Sequence, residues 1–165
     1  MATLVHRGVT VHSIGELPPV GSVLPPFTLT GTDLADFGTD VVAGRRLVLN
    51  IFPSIDTGVC AMSVRRFNEL AAGLTDTLVL CVSADLPYAQ RRFCGAEGIE
   101  AVLTGSSFRS NFGADYGVTI VDGPMRGLLS RAVVVADAGG RITHSQQVPN
   151  MSQEPDYEAA LAGLG

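Results

Sequence analysis

Cys60 is the residue of this chain whose surroundings best suit chemistry. It ends the segment 53–60 (PSIDTGVC), which follows an apolar run at 47–52, typical of a buried strand, and precedes an amphipathic run at 61–72, typical of a helix. At the start of a helix the backbone N–H groups and the positive end of the dipole face outward. A thiol in that position is favoured as the thiolate, which is the nucleophilic form.

Two flanking residues support this interpretation of Cys60. Pro53 stiffens the chain just after the strand, and Thr57, three residues before the cysteine, can direct its hydroxyl at the sulfur. Two plainer alternatives stay open: Thr57 as an ordinary helix N-cap, and Cys60 as a small core residue of an amphipathic helix. Asp56 is not expected to assist, because a nearby carboxylate disfavours the thiolate.

The other two cysteines occupy different settings. Cys94 lies near the predicted end of a helix, with Gly95 as the terminating residue. Arg91 and Arg92 precede it and would lower the pKa of its thiol if they lie close; an inward-packed cysteine is the alternative. Cys81 lies in the middle of an apolar strand pattern, so we expect a buried, inert thiol.

Composition excludes several function classes. The net charge of −5 and pI near 5.0 argue against nucleic acid as a partner. All eleven basic residues are arginine, which excludes lysine Schiff-base chemistry. There is no signal-peptide pattern and no apolar run of about 18 residues, so we expect a cytoplasmic protein with no membrane contact. In that reducing compartment, three cysteines do not indicate a structural disulfide framework.

Other catalytic chemistries find little support. Cys60 and Cys94 do not form a C-x-x-C pair, and no cysteine spacing fits a zinc site. The histidines His6, His12 and His144 are scattered and are expected at the surface. A Cys–His hydrolase would require one of them to reach Cys60. No phosphate-binding or serine-hydrolase motif is found either.

The order of predicted elements indicates an α/β protein, with residues 1–165 as one domain. An N-terminal β-hairpin is centred on Gly8, a Pro-rich connector covers 15–26, and residues 33–46 are predicted to be loop. The remaining strands and helices alternate as in a thioredoxin-like layered sheet with flanking helices. The strands are predicted at 27–30, 47–52, 77–83, 101–103, 131–136 and 141–148, and the helices at 61–72, 87–93, 106–112 and 155–161.

On these residues the chain resembles the peroxiredoxins, whose signature of Pro, three residues, Thr, two residues and Cys is met by Pro53, Thr57 and Cys60. It is most similar to the bacterial thiol peroxidases, an atypical two-cysteine subgroup. Segments resembling that subgroup cover nearly the whole chain: 50–60 (NIFPSIDTGVC), 83–87 (SADLP), 92–98 (RFCGAEG), 116–118 (YGV), 122–124 (DGP), 131–135 (RAVVV) and 154–161 (EPDYEAAL).

The resemblance implies a role for each candidate residue. Cys60 would attack a peroxide and become a sulfenic acid, with Thr57, Arg131 and the Cys60 N–H stabilising the developing charge. Cys94 matches the resolving position and would form an intrachain disulfide with Cys60. Thioredoxin would then reduce that disulfide, with no metal or organic cofactor. The family also implies a homodimer. Without the resemblance, Arg131 would be interpreted as a surface charge at a strand edge.

Three functions remain compatible with the residues. The first is a thioredoxin-dependent peroxidase of hydrogen peroxide and organic hydroperoxides, which serves antioxidant defence. The second is a thiol–disulfide oxidoreductase on the same fold, against which the missing C-x-x-C motif counts. The third is a non-enzymatic redox sensor or holdase that uses the same disulfide as a switch. Peroxide turnover separates the first function from the third.

Overall fold

The N-terminal strands form a separate hairpin in the computed structural model, which describes all 165 residues. β1 (Thr3–His6) pairs antiparallel with β2 (Val9–His12). Arg7 and Gly8 between them have φ values of 48° and 79°. Positive φ at both residues is typical of the two-residue type I′ turn, which matches the twist of a hairpin. The predicted hairpin is therefore confirmed.

Seven further strands form one mixed sheet in the order β4-β3-β7-β6-β5-β8-β9. The neighbours β5, β6 and β7 run parallel, and the outer strands pair antiparallel. This confirms the thioredoxin-like sheet, whose strand order could not be deduced from the sequence. The strands are β3 (Thr28–Thr30), β4 (Asp36–Gly38), β5 (Arg46–Ile51), β6 (Thr77–Ser83), β7 (Leu103–Ser106), β8 (Ala132–Ala136) and β9 (Ile142–Gln147).

Four α-helices accompany the sheet, and two of them connect its parallel strands. α1 links β5 to β6, and α2 links β6 to β7, as parallel strands require a crossover. The carboxyl ends of β5 and β6 therefore lie side by side, and each leads into a helix. The helices are α1 (Gly58–Ala71), α2 (Pro87–Glu97), α3 (Phe112–Asp115) and α4 (Tyr157–Ala162).

Apolar side chains cover both faces of the sheet, because its central strands are buried on both sides. Alternate residues of β5 serve the two faces: Leu49 joins the larger core cluster, and Val48 joins the cluster beneath α1. In the larger cluster, Phe112 and Tyr116 stack with ring centroids 4.4 Å apart. Ile51, the last residue of β5, belongs to the same cluster, so the segment containing Cys60 begins at a buried point of the core.

The prediction of loop for residues 33–46 is wrong. This stretch contains β4 and a 3₁₀ helix at Thr39–Val42. β4 has only three residues, and it pairs with β3 alone, at the edge of the sheet. Its Asp36 accepts a hydrogen bond from Thr30 on β3 at 2.8 Å. The strand depends on this pairing with β3, and no local periodicity in the sequence predicts it.

Other predicted boundaries also differ, and the strand predicted at 101–103 is found at Leu103–Ser106 instead. α2 continues through Gly95 and ends at Gly98, whose φ of 66° is the left-handed value that favours glycine. The helix predicted at 106–112 is wrong, because residues 107–111 form turns and α3 begins only at Phe112. α1 begins at Gly58, three residues earlier than predicted, so Cys60 lies within its first turn.

Gly117 generates a testable prediction about stability. Its φ is +71°, and a Cβ there would overlap the backbone of Glu16 in the N-terminal connector. Gly117→Ala should therefore lower the free energy of unfolding by about 2 kcal/mol or more, as measured by urea denaturation. Gly127→Ala is the control, because its φ is +95° with open space around it. Gly127→Ala should lose about 1 kcal/mol of unfolding free energy. An equal loss in both variants would contradict the proposed overlap at Gly117.

Candidate active site

Cys60 is held in the first turn of α1 by a cap at Thr57. Thr57 has extended backbone angles, and its Oγ1 accepts a hydrogen bond from the Cys60 backbone N–H at 3.3 Å. The same hydroxyl donates to the Ser54 carbonyl at 3.3 Å. Thr57 is therefore the N-cap that the sequence left as an alternative, and its hydroxyl hydrogen is directed at the backbone rather than at the sulfur.

The Cys60 sulfur is fully buried and is hydrogen-bonded by a buried arginine. Nη2 of Arg131 donates to the Cys60 Sγ at 3.2 Å, and Nε donates to the Met151 carbonyl at 3.1 Å. Arg131 is only 2% exposed, so the interpretation as a surface charge is excluded. A cation fixed beside the sulfur in a dry site stabilises negative charge there.

Arg131 reaches Cys60 because of the order of strands. It immediately precedes β8, which pairs antiparallel with β5, and the register sets Ile51 opposite Ala132. The beginning of β8 therefore lies beside the end of β5, from which the segment to Cys60 departs. Arg131 Nη1 is buried and has no hydrogen-bond partner. This Nη1 group is therefore a free, strong hydrogen-bond donor next to the sulfur.

A cleft of about 330 Å³ lies over this site. Its walls combine apolar side chains with the cationic groups of Arg7 and Arg131, and no acidic residue lines it. Such a cleft is large enough for a small ligand. The residues that line it are His6, Arg7, Pro53, Thr57, Gly58, Val59, Met125, Arg131, Met151 and Ser152.

The expectation that all three histidines lie at the surface is wrong for two of them, because a ring nitrogen of His144 (Nε2) and one of His6 (Nδ1) are buried without a hydrogen-bond partner. His6 lies on β1 and lines the cleft. Burial, followed by the charges of Arg7 and Arg131, lowers the pKa of His6 below its ordinary value. His6 is therefore neutral at pH 7. A short hairpin strand carries no signal that one of its side chains faces a distant loop.

Cys94 lies in the second half of α2, half-buried. Together with Phe93 it packs against the apolar cluster that contains Cys60. Burial raises the pKa of the Cys94 thiol, which agrees with the alternative of an inward-packed cysteine, and the lowering expected if the two preceding arginines lay close does not occur. Arg92 is exposed and pairs instead with Asp56, at 3.4 Å. Arg92 lies two residues before Cys94, and side chains two residues apart on a helix point to different sides.

Cys81 lies in the middle of β6 and has no exposed surface. Burial raises the pKa of its thiol to about 12. The Asn50 side-chain amide donates to the Cys81 sulfur at 3.7 Å. The prediction of a buried, inert thiol agrees with this environment.

A carboxylate that the sequence analysis missed joins the two cysteine-bearing segments. Asp85 follows β6 and accepts hydrogen bonds from Ser54 Oγ at 2.8 Å, the Ile55 N–H at 2.7 Å and Ser83 Oγ at 2.6 Å. A sequence signal that could have located Asp85 is the polar cluster after β6, because the carboxyl end of β6 lies next to that of the parallel strand β5. Such ends meet at one edge of a sheet and are a common place for functional groups.

Two exposed ion pairs also connect α1 or its preceding loop to α2. Arg65 binds Glu97 with two hydrogen bonds of 2.9 and 3.1 Å, and Arg92 pairs with Asp56. The Arg65 side chain is 43% exposed despite this pairing. Exposed pairs of this kind contribute about 0–1 kcal/mol each, so they connect the two helices only weakly.

Comparison with known proteins agrees with this geometry. Residues 19–161 match the Redoxin family. The chain is 58% identical over 165 residues to the thiol peroxidase of Mycobacterium tuberculosis, covering 100% of this chain and 99% of that protein. It is 52% identical over 164 residues to the thiol peroxidase of Corynebacterium glutamicum, covering 99% of each.

A solved structure extends the agreement to the fold. The crystal structure of a peroxiredoxin-like protein from Aquifex aeolicus superimposes with a TM-score of 0.92 and 34% identity, covering 97% of this chain and 94% of that one. The chain therefore belongs to the Redoxin family and, within it, to the thiol peroxidases. No helix is both long and apolar enough to cross a membrane.

Arg131 generates a testable prediction about the charge on Cys60. Arg131→Met should reduce the fraction of Cys60 present as thiolate at pH 7, because the sulfur loses its only charged hydrogen-bond donor. Ultraviolet absorbance of the thiolate, with Cys60→Ser as baseline, measures this fraction. Burial raises the pKa of Cys81 and Cys94, so neither contributes thiolate at this pH.

Arg126→Met is the matched control for this measurement. Arg126 is exposed and makes no side-chain hydrogen bond to Cys60, so its removal subtracts a charge without disturbing the sulfur. The control should keep the thiolate absorbance of the unmodified protein. Equal absorbance in both arginine variants and the unmodified protein would show that Arg131 does not control the thiolate.

Proposed function

We propose that this chain is a peroxiredoxin-type thiol peroxidase that reduces hydrogen peroxide and organic hydroperoxides, with residues 1–165 acting as one domain. The observation that carries the proposal is the buried hydrogen bond of 3.2 Å between Arg131 and the Cys60 sulfur. A cation buried against a cysteine sulfur is typical of a site where that cysteine acts as an anion. The thiol peroxidase names of the relatives that are 58% and 52% identical support the same activity.

In the first step, the Cys60 thiolate attacks the nearer oxygen of the peroxide. The sulfur–oxygen bond forms as the O–O bond breaks, and Cys60 becomes a sulfenic acid. The other oxygen leaves as hydroxide or alkoxide and takes up a proton to give water or an alcohol. This oxygen gains the negative charge that the sulfur loses, so the site must stabilise charge over both atoms.

The cleft contains donors suited to that charge. Arg131 donates to the sulfur through Nη2 and has Nη1 buried without a partner, so Nη1 can bind the departing oxygen. Thr57 and Pro53 line the same cleft. We assign Thr57 to holding the first turn of α1 and to contacting the peroxide as it binds. Pro53 closes the wall of the cleft without presenting an N–H that would require a partner.

In the second step, Cys94 resolves the sulfenic acid. The Cys94 sulfur attacks the Cys60 sulfur, the disulfide forms, and the sulfenic oxygen leaves as water. The packing of both cysteines on one apolar cluster supports this pairing. Both thiols are free in the structure, and we propose that the segment of one or both moves to reach the Cα separation of roughly 4.4–6.8 Å that a disulfide requires.

In the third step, an external dithiol restores the enzyme. We propose thioredoxin, whose two thiols would become a disulfide as Cys60 and Cys94 return to thiols. The resemblance to two-cysteine thiol peroxidases supports this reductant, and it also supports a homodimer and a cytoplasmic location. The mechanism that we propose uses only side chains of the chain and needs no metal or organic cofactor.

Cys60→Ser tests the assignment of the nucleophile. A serine hydroxyl does not ionise near pH 7, so the variant should lose peroxide turnover in an assay with thioredoxin, thioredoxin reductase and NADPH. Cys81→Ser is the matched control, because it removes a buried sulfur that lies outside the cleft. It should keep most of the activity. Substantial turnover by Cys60→Ser would exclude Cys60 as the nucleophile.

Cys94→Ser tests the resolving role separately. The variant should reduce about one equivalent of peroxide, stop at the sulfenic acid and lose turnover with thioredoxin. It should also over-oxidise readily, since no second thiol captures the sulfenic acid. Mass spectrometry of the intact chain after peroxide treatment distinguishes these products. Full thioredoxin-dependent turnover by this variant would exclude Cys94 as the resolving residue.

A further inference from the structure

We propose that Asp85 is a positioning residue that controls how readily the Cys60 segment opens for disulfide formation. The inference rests on the proposed function, and it adds a residue that sets the balance between resolution and over-oxidation of Cys60. Asp85 lies between the two cysteine-bearing segments: it bonds the loop before α1, and it precedes α2 by two residues.

The carboxylate of Asp85 holds the loop at two points. Oδ1 accepts from Ser54 Oγ at 2.8 Å, and Oδ2 accepts from the Ile55 N–H at 2.7 Å. An ionised carboxylate makes hydrogen bonds roughly twice as strong as those between neutral groups. These two bonds hold the loop only two to three residues before the Thr57 cap, so they also hold the first turn of α1.

The other side of Asp85 is anchored to the sheet. Its Oδ2 also accepts from Ser83 Oγ at 2.6 Å, and its backbone carbonyl accepts from Ser106 Oγ on β7. Ser83 in turn accepts from the Gln90 side-chain amide of α2 at 3.1 Å, and that amide also donates to the Gly105 carbonyl at 3.2 Å. Asp85 thus fastens a movable loop to a rigid, buried support.

The remaining connections between the two segments are weaker. Beyond Gln90, the half of α2 that carries Cys94 is linked to α1 and its loop by the exposed pairs Arg65–Glu97 and Arg92–Asp56. Exposed ion pairs add little stability. The charge-assisted bonds to Asp85 are therefore stronger than the exposed pairs that join the Cys60 loop and α1 to α2, and opening of that segment requires their loss.

This restraint has opposite effects on two competing reactions. While the loop is closed, the Cys60 sulfenic acid stays in the cleft, where a second peroxide can oxidise it to sulfinic acid and leave as water or alcohol. When the loop opens, Cys94 can reach the sulfur and the disulfide forms. Weakening the Asp85 restraint should raise the small open population and thereby favour the disulfide.

Asp85→Asn is the central variant. The amide keeps the size of the side chain but removes the charge and one acceptor, so the Ile55 N–H or Ser54 hydroxyl loses its partner. We expect disulfide formation to become about tenfold faster. This factor corresponds to the free energy of one hydrogen bond to a charged group, which the closed state loses in the variant. Oxidation of Cys60 by the first peroxide should change less than about twofold, since the closed state still predominates. Rapid-quench alkylation with mass spectrometry measures both rates.

Three further variants separate a positioning role from general destabilisation. Ser54→Ala removes one bond to Asp85 and should give a smaller increase, about threefold; it also carries the test if Asp85→Asn does not fold. Asp56→Asn also removes one negative charge, from the same loop to which Asp85 bonds, but it breaks only an exposed ion pair. It should leave the ratio of disulfide to sulfinic acid unchanged. Leu29→Ala removes a buried side chain from the cluster on the other face of the sheet and should lower global stability alone.

Amide exchange supplies the structural readout. Residues 54–60 should exchange faster in Asp85→Asn than in the unmodified protein, with the central strands unchanged. The proposal is overturned if the ratio of disulfide to sulfinic acid stays the same in Asp85→Asn and Ser54→Ala, or if Leu29→Ala or Asp56→Asn shifts it equally. If the unmodified protein forms no Cys60–Cys94 disulfide, the proposed function itself fails, which is a separate outcome.

Discussion

The buried hydrogen bond between Arg131 and Cys60 is the constraint on which the rest of the site depends. A guanidinium that is 2% exposed must have partners, because an isolated buried charge costs several kcal/mol. The Met151 carbonyl and the Cys60 sulfur are those partners, and they belong to segments that are far apart in the chain. The arrangement therefore requires β8 beside β5, a short loop from β5 to α1, and the Met151 carbonyl beside Arg131.

The N-terminal hairpin completes that arrangement. Val5 donates to the Pro149 carbonyl at 2.8 Å and accepts from the Met151 N–H at 2.9 Å, so β1 holds the segment whose carbonyl binds Arg131. The same strand brings His6 to the cleft, and the adjoining turn brings Arg7. The hairpin lies outside the main sheet and still forms one wall of the cleft.

The two chemical steps place conflicting demands on this site. Peroxide attack requires Cys60 to stay capped by Thr57 and bonded to Arg131, whereas disulfide formation requires Cys60 and Cys94 to meet. The Asp85 bonds hold the closed arrangement, and weak, exposed ion pairs connect the half of α2 that bears Cys94. Asp85 restrains the Cys60 loop strongly, and the exposed ion pairs restrain the Cys94 half of α2 weakly. These segments can therefore move while the hydrophobic core stays intact.

Local sequence determined the parts of this protein that arise from short-range physics: the hairpin at Gly8, the buried strands β5, β6 and β8, and Cys60 at a helix start after Pro53 and Thr57. Only the tertiary structure decided the strand order, the short edge strand β4, the burial of Arg131 against Cys60, the place of His6 in the cleft, and the Asp85 bonds. Each of these depends on residues that are far apart in the chain and meet only after the sheet has formed. Periodicity and capping patterns report the preferences of neighbouring residues, and they contain no information on which distant partner will satisfy a buried charge or donor.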